Sequence, residues 1–135
     1  MGEPAEDERA CFDFPGQKRP GFSEVVRAGP WIMISGQVPT FEGRLVGAGD
    51  PEAQVRQVFA NMKTALEMAG ASLGDVVRLT CFLTDRSAFP AYAAVKRELF
   101  VDRPPAGTAV LVDGLFAEGA FLEVEATAYS PGRAD

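Results

Sequence analysis

Asp50-Pro51-Glu52-Ala53-Gln54-Val55-Arg56-Gln57-Val58-Phe59-Ala60-Asn61-Met62 is the stretch from which the rest of the fold can be laid out. Aspartate followed by proline predicts a helix start. The carboxylate accepts from free amides of the first turn, and proline at the first helical position loses no hydrogen bond. Val55, Phe59, Met62, Leu66 and Ala69 then recur at spacings of four, three, four and three, a single apolar helical face that Gly70 ends.

Working outward, Phe22 to Ala28 reads as a strand that turns at Gly29-Pro30 and returns as Trp31 to Ser35. Gly43 to Gly49 is a loop with a short strand around Leu45-Val46. After the helix, Val76 to Thr84 is β-branched and apolar, hence a strand. Asp85 or Ser87 caps a second helix whose buried side carries Tyr92, Val95, Leu99 and Phe100. Thr108 to Val112 and Ala120 to Tyr129 are the last two strands. Strands and helices in this order predict an α+β sheet with two helices laid on one face. Residues 1–19 are expected to be a flexible arm, 20–130 a single domain and 131–135 a tail.

Two helices cover one face only. Yet Trp31-Ile32-Met33-Ile34 and Val110-Leu111-Val112 are apolar at consecutive positions, as in strands buried on both sides. A copy of the same chain is the economical cover for the second face.

Composition narrows the function. A net charge of −6 makes a phosphate backbone a poor partner, so no nucleic acid is expected. No apolar run approaches the roughly 20 residues that span a bilayer, so no membrane partner is expected. Glu3, Glu6, Asp7, Glu8 and Arg9 do not resemble a secretory leader. Cys81 alternates with Val77, Leu79 and Leu83 and faces a core, and Cys11 has no setting that would activate it. Both fit free thiols in a reducing cytoplasm. The absence of histidine removes Ser-His and Cys-His dyads and the common metal sites, so neither metal nor cofactor is expected. Gly47-Ala48-Gly49-Asp50 lacks the rest of a phosphate loop and reads as a turn and helix cap.

Glu123 and Glu125 lie two apart in an extended strand and so share a side, roughly 7 Å apart. Leu122, Val124, Ala126 and Ala128 then face the helices. A carboxylate on the second face, partly desolvated by a neighbouring copy, would have a raised pKa suited to acid–base work. The alternatives are a solvated face or an ion pair with Arg78 or Arg103.

The stretch Phe100-Val101-Asp102-Arg103-Pro104-Pro105-Ala106-Gly107-Thr108-Ala109-Val110 resembles the signature of the RidA (YjgF) family, which usually runs Pro-Ala-Arg-Ser before a strand. The likeness extends to Ser35-Gly36-Gln37 at a strand end, to Gln54–Met62, to Leu73–Thr80 and to Leu122–Ala126. It implies a mixed, chorismate-mutase-like sheet with two helices on one side, closed into a homotrimer with small-molecule clefts between subunits. Ser35 and Gly36 would line the cleft and Phe22 would fill an aromatic position. Glu123 would position water or a proton, and Leu99 and Phe100 would add an apolar wall from the adjacent subunit. Gly107 stands where the family has the arginine that grips a substrate carboxylate, and Ala109 where a thiol or hydroxyl is common. Arg103, four residues before Gly107, is the candidate replacement. Some relatives are described as ribonucleases, which the acidic charge balance does not support. The expected activity is hydrolysis or isomerisation of an imine or enamine other than 2-aminoacrylate. The alternative is a non-catalytic trimer binding a metabolite or partner through the same clefts.

Overall fold

A computed structural model describes residues 9–131, so the expectations for residues 1–8 and 132–135 fall outside the described residues. The strands are β1 (Arg9–Phe12), β2 (Val25–Ala28), β3 (Trp31–Gln37), β4 (Thr40–Phe41) and β5 (Arg44–Leu45). There follow helix α1 (Pro51–Met68), β6 (Val76–Leu83), helix α2 (Phe89–Leu99), β7 (Ala106–Leu111) and β8 (Leu122–Tyr129). Six strands form one sheet in the order β1-β2-β3-β8-β6-β7, while β4 and β5 make a separate small hairpin. Every pair in the main sheet is antiparallel except β6–β7. Parallel neighbours need a crossover, and α2 supplies it. The α+β class and the mixed sheet with two helices are as expected.

Asp50 caps α1 by accepting from the Ala53 amide at 3.2 Å. Val55, Val58, Phe59, Met62 and Leu66 of α1 are buried against Ile32, Ile34, Leu79, Leu122 and Val124 of the sheet. Burying such side chains contributes roughly 1.5–3 kcal/mol each. At the far end Gly70 takes a φ of +79°, a conformation that favours glycine. Arg27 of β2 reaches across to donate to the carbonyl oxygens of Ala69 and Ser130, tying the helix end to both the second strand and the residue that follows β8.

Several boundaries differ from the sequence reading. Residues 9–12 are not part of a loose arm: they pair with Val25–Ala28 and extend the sheet edge. β2 begins at Val25, because Phe22 is held in a turn whose amide donates to the Arg19 carbonyl. Asp85 caps a short 3-10 turn, Arg86–Ala88, that leads into α2. Phe100 is not a cleft wall. It is a core residue, edge-on to Phe59 with ring centroids 5.8 Å apart.

The sheet face away from the helices is bare in the single chain. Trp31, Met33, Val77, Val110 and Tyr129 are all exposed, and Trp31 packs edge-on against Tyr129 at 4.9 Å. β7 pairs only with β6, and all six of its residues are exposed.

Candidate functional site

Pleating decides where each candidate residue points. Leu122, Val124, Ala126 and Ala128 are buried under the helices, so Glu123 and Glu125 stand on the bare face. Opposite them β3 is irregular. Ile34 pairs with Ala126 and Gln37 with Val124, so Ser35 and Gly36 together face one residue of β8. Such a bulge bends a strand and re-aims its backbone.

Gly36 is placed there by the space it leaves. A Cβ on Gly36 would lie 2.2 Å from Oε2 of Glu123 and 2.7 Å from its carboxyl carbon, whereas its φ is one that other residues adopt. The carboxylate therefore lies directly against the bulged backbone. Burial, and secondarily the charge of Glu125, raise the pKa of Glu123 above its ordinary value. Among the described residues no side chain donates a hydrogen bond to Glu123.

A polar network fixes the bulge. The Gln37 amide donates to Oε1 of Glu24 at 2.7 Å and to the Ser35 carbonyl at 2.9 Å. The Ser35 hydroxyl donates to the Ser23 carbonyl at 2.8 Å, and the Ser35 amide to the Glu24 carbonyl at 3.0 Å. Glu24 and Gln37 are both buried. The Arg19 guanidinium lies 3.9 Å from Glu24 and, at the same distance, over the ring of Phe22. Phe22 is thus half-buried beneath a cation. Arg19, Glu24, Gly36 and Gln37 share the wall of a hollow of about 580 Å³ that extends to the β4–β5 hairpin. Arg19 and Glu24 were missed in the sequence, where nothing about their spacing marks them. Gln37 had a signal, as the last residue of the Ser-Gly-Gln run.

Gly107 and Ala109 belong to the other face. They pair laterally with Leu79 and Cys81, which are buried beneath the helices, so positions 107 and 109 point toward α2. The atom nearest to a Cβ on Gly107 would be Nζ of Lys96, at 3.5 Å, followed by the Leu79 carbonyl oxygen at 3.7 Å. Lys96 also lies 5.1 Å from the ring of Tyr92, one helical turn earlier. Arg103 is elsewhere, donating to the Gly74 carbonyl at 3.2 Å, and Arg78 donates to the Thr108 hydroxyl at 2.8 Å. Leu99 is exposed on the last turn of α2. Ala109 helps line a second hollow of about 440 Å³, between β7 and the start of α2.

One chain therefore brings Ser35, Gly36 and Glu123 together and sets Gly107 and Ala109 apart from them, on the opposite face near α2. Among the described residues no cluster of His, Cys, Asp and Glu suits a metal ion, and no helix is long and apolar enough to cross a membrane.

A small α+β sheet with a carboxylate lodged against a strand bulge, and a second group of candidate residues at the sheet edge, defines the class of protein. Residues 16–130 match the family described as Endoribonuclease L-PSP, and the chain belongs to that family, the RidA/YjgF family. A RutC family protein of Pyrococcus horikoshii is 39% identical over 110 residues, covering 80% of this chain and 86% of that protein. A protein of Salmonella typhimurium named 2-iminobutanoate/2-iminopropanoate deaminase is 33% identical over 110 residues, covering 79% of this chain and 85% of that one. The crystal structure of a YjgF family member from Mycobacterium tuberculosis superposes with a TM-score of 0.78 at 31% identity, covering 90% of this chain and 98% of that one.

Proposed function

We propose that the protein is a homotrimeric hydrolase or isomerase of imines or enamines other than 2-aminoacrylate, with Glu123 as the proton-handling or water-positioning group. The observation that carries the proposal is the Glu123 carboxylate in the space left by Gly36, with its pKa raised by burial. A carboxylate poised nearer neutrality both accepts and returns a proton more readily than one fixed in its charged form. The bulge formed by Ser35 and Gly36 keeps main-chain polar groups beside it.

Trimer formation is proposed on two grounds. The bare face carries Trp31, Met33, Val77, Val110 and Tyr129, an apolar surface that asks for a partner. In addition, the two groups of candidate residues lie on opposite faces of one sheet, so a shared cleft needs a second chain to supply the missing half. Gly107 argues against 2-aminoacrylate, because a glycine offers no planar fork for a small carboxylate. The cytoplasm, whose reducing conditions suit two free thiols, is the proposed compartment.

The test is a panel of imines generated in place from small, branched and aromatic amino acids, with keto acid release followed in the presence of wild type or Glu123→Gln. The expected result is acceleration of at least one bulky imine that the variant loses. Acceleration of none, or an unaltered rate in the variant, overturns the proposal. Binding without turnover in both would establish a non-catalytic binding trimer instead. A sedimentation mass of one chain would remove the trimer.

A further inference from the structure

We propose that Lys96 is the anion seat of this protein, holding the carboxylate of a branched or aromatic 2-imino acid whose side chain lies in the hollow between β7 and the start of α2. The proposal rests on reading the protein as one that acts on imines, and it adds the substrate class and the residue that selects it.

Three observations meet at this place. First, the Lys96 ammonium is not extended into solvent. It is drawn back over β7, 3.5 Å from the point where a side chain at 107 would begin, and 5.1 Å from the ring of Tyr92. An aromatic face holds a cation without neutralising it, so the charge stays available to an anion. Among the described residues no carboxylate pairs with Lys96. Second, the glycine beneath it serves no conformational need. Its φ is not in the left-handed region, and an added Cβ would make only ordinary contacts, so what the glycine provides is open space beside the ammonium.

Third, that space adjoins an apolar cavity. Ala109, one pleat repeat along the same face from Gly107, forms part of the hollow of about 440 Å³ with Leu83, Phe89, Pro90 and Leu111. One pleat repeat is roughly 7 Å, the reach of an amino-acid-sized molecule. A carboxylate at Lys96 therefore lets a carbon side chain rest against Ala109 and Leu111. Arg86 at the rim of the same hollow also lacks a carboxylate partner among the described residues, which strengthens the preference for an anion. An ammonium is a point charge with rotatable donors, so it accepts a carboxylate at several angles, where a guanidinium fixes one. A larger substrate gains from that latitude.

The test uses the full chain and a stable probe, 4-methyl-2-oxopentanoate, titrated calorimetrically against wild type, Lys96→Gln, Lys96→Arg and Glu123→Gln. Its carboxylate-free counterpart, 4-methylpentan-2-one, is the control ligand. The expected result is that Lys96→Gln weakens the keto acid by about tenfold or more, the loss of one charge-assisted contact. Lys96→Arg keeps the charge but not the angular latitude, so it should lose less than Lys96→Gln. Glu123→Gln should bind the keto acid as wild type does, and the ketone should not distinguish Lys96→Gln from wild type. Equal keto acid binding by wild type and Lys96→Gln overturns the proposal. So does a wild type that binds the keto acid no better than the ketone. Normal turnover by Glu123→Gln with the Lys96 effect intact would sink the proposed function and leave the anion seat standing.

Discussion

The two glycines at the candidate site exist for opposite reasons. Gly36 is enforced by its surroundings, since a methyl group there would occupy the Glu123 carboxylate. Gly107 is enforced by nothing in the fold, since a side chain there meets only the Lys96 ammonium and one carbonyl at van der Waals distance. The first glycine is part of how the carboxylate is held, and the second is free to be replaced without a clash. The packing around Glu123 is thus tightly specified, while the position beside Lys96 is open to change.

The sharpest break in this contrast is Glu123→Gln, expected to lower kcat by about a hundredfold or more with a small change in KM, as for loss of a positioned acid–base group. Gly36→Ala should cost nearly as much activity, because the carboxylate must move. It should also destabilise the fold by about 1–3 kcal/mol in a denaturant titration, the usual cost of overpacking. Gly107→Arg should fold normally and gain about tenfold on 2-iminopropanoate, since it restores a charged fork at a tolerant position. If Gly107→Arg unfolds the protein, or Gly36→Ala is silent, the contrast between the two glycines is wrong.

A gentler test is pH. The folded protein holds the Glu123 proton more tightly than the unfolded chain does, because burial and then Glu125 raise its pKa above 4.5. Glu123 therefore favours folding below the ordinary carboxylate range, and that contribution is lost as pH rises through the raised value. Glu123→Gln, which cannot ionise, should be more stable than wild type at neutral pH, with the gap closing in acid. In wild type the base-dependent rate should rise with a midpoint above the ordinary carboxylate value.

The helices and central strands were legible because their apolar residues repeat with a clean period. α1 announced both its ends, through Asp50-Pro51 and Gly70, and the alternation in Leu122–Tyr129 alone separates the buried side of β8 from Glu123. β1 was not legible, because Arg9-Ala10-Cys11-Phe12 is four residues with only Phe12 half-buried, too short and too exposed to show an alternation. Consecutive apolar residues in β7 looked like a strand covered on both sides. An exposed edge strand reads the same way, since only tertiary context tells them apart. Lys96 was invisible for a related reason. Its place over Gly107 depends on how α2 crosses β7, although its four-residue spacing from Tyr92 was there to be seen. Phe100 falls on the buried side of the second helix by its spacing, and only its edge-on contact with Phe59 requires knowing where α1 lies.

Trp31 is the only tryptophan in the chain and stands 44% exposed on the bare face, beside Tyr129. Its indole is therefore a built-in optical gauge. In a lone chain it would emit as a largely hydrated chromophore, and sealing that face would shift the emission to the blue. The proposed assembly can then be tested on dilution without any label, by the colour of a single side chain.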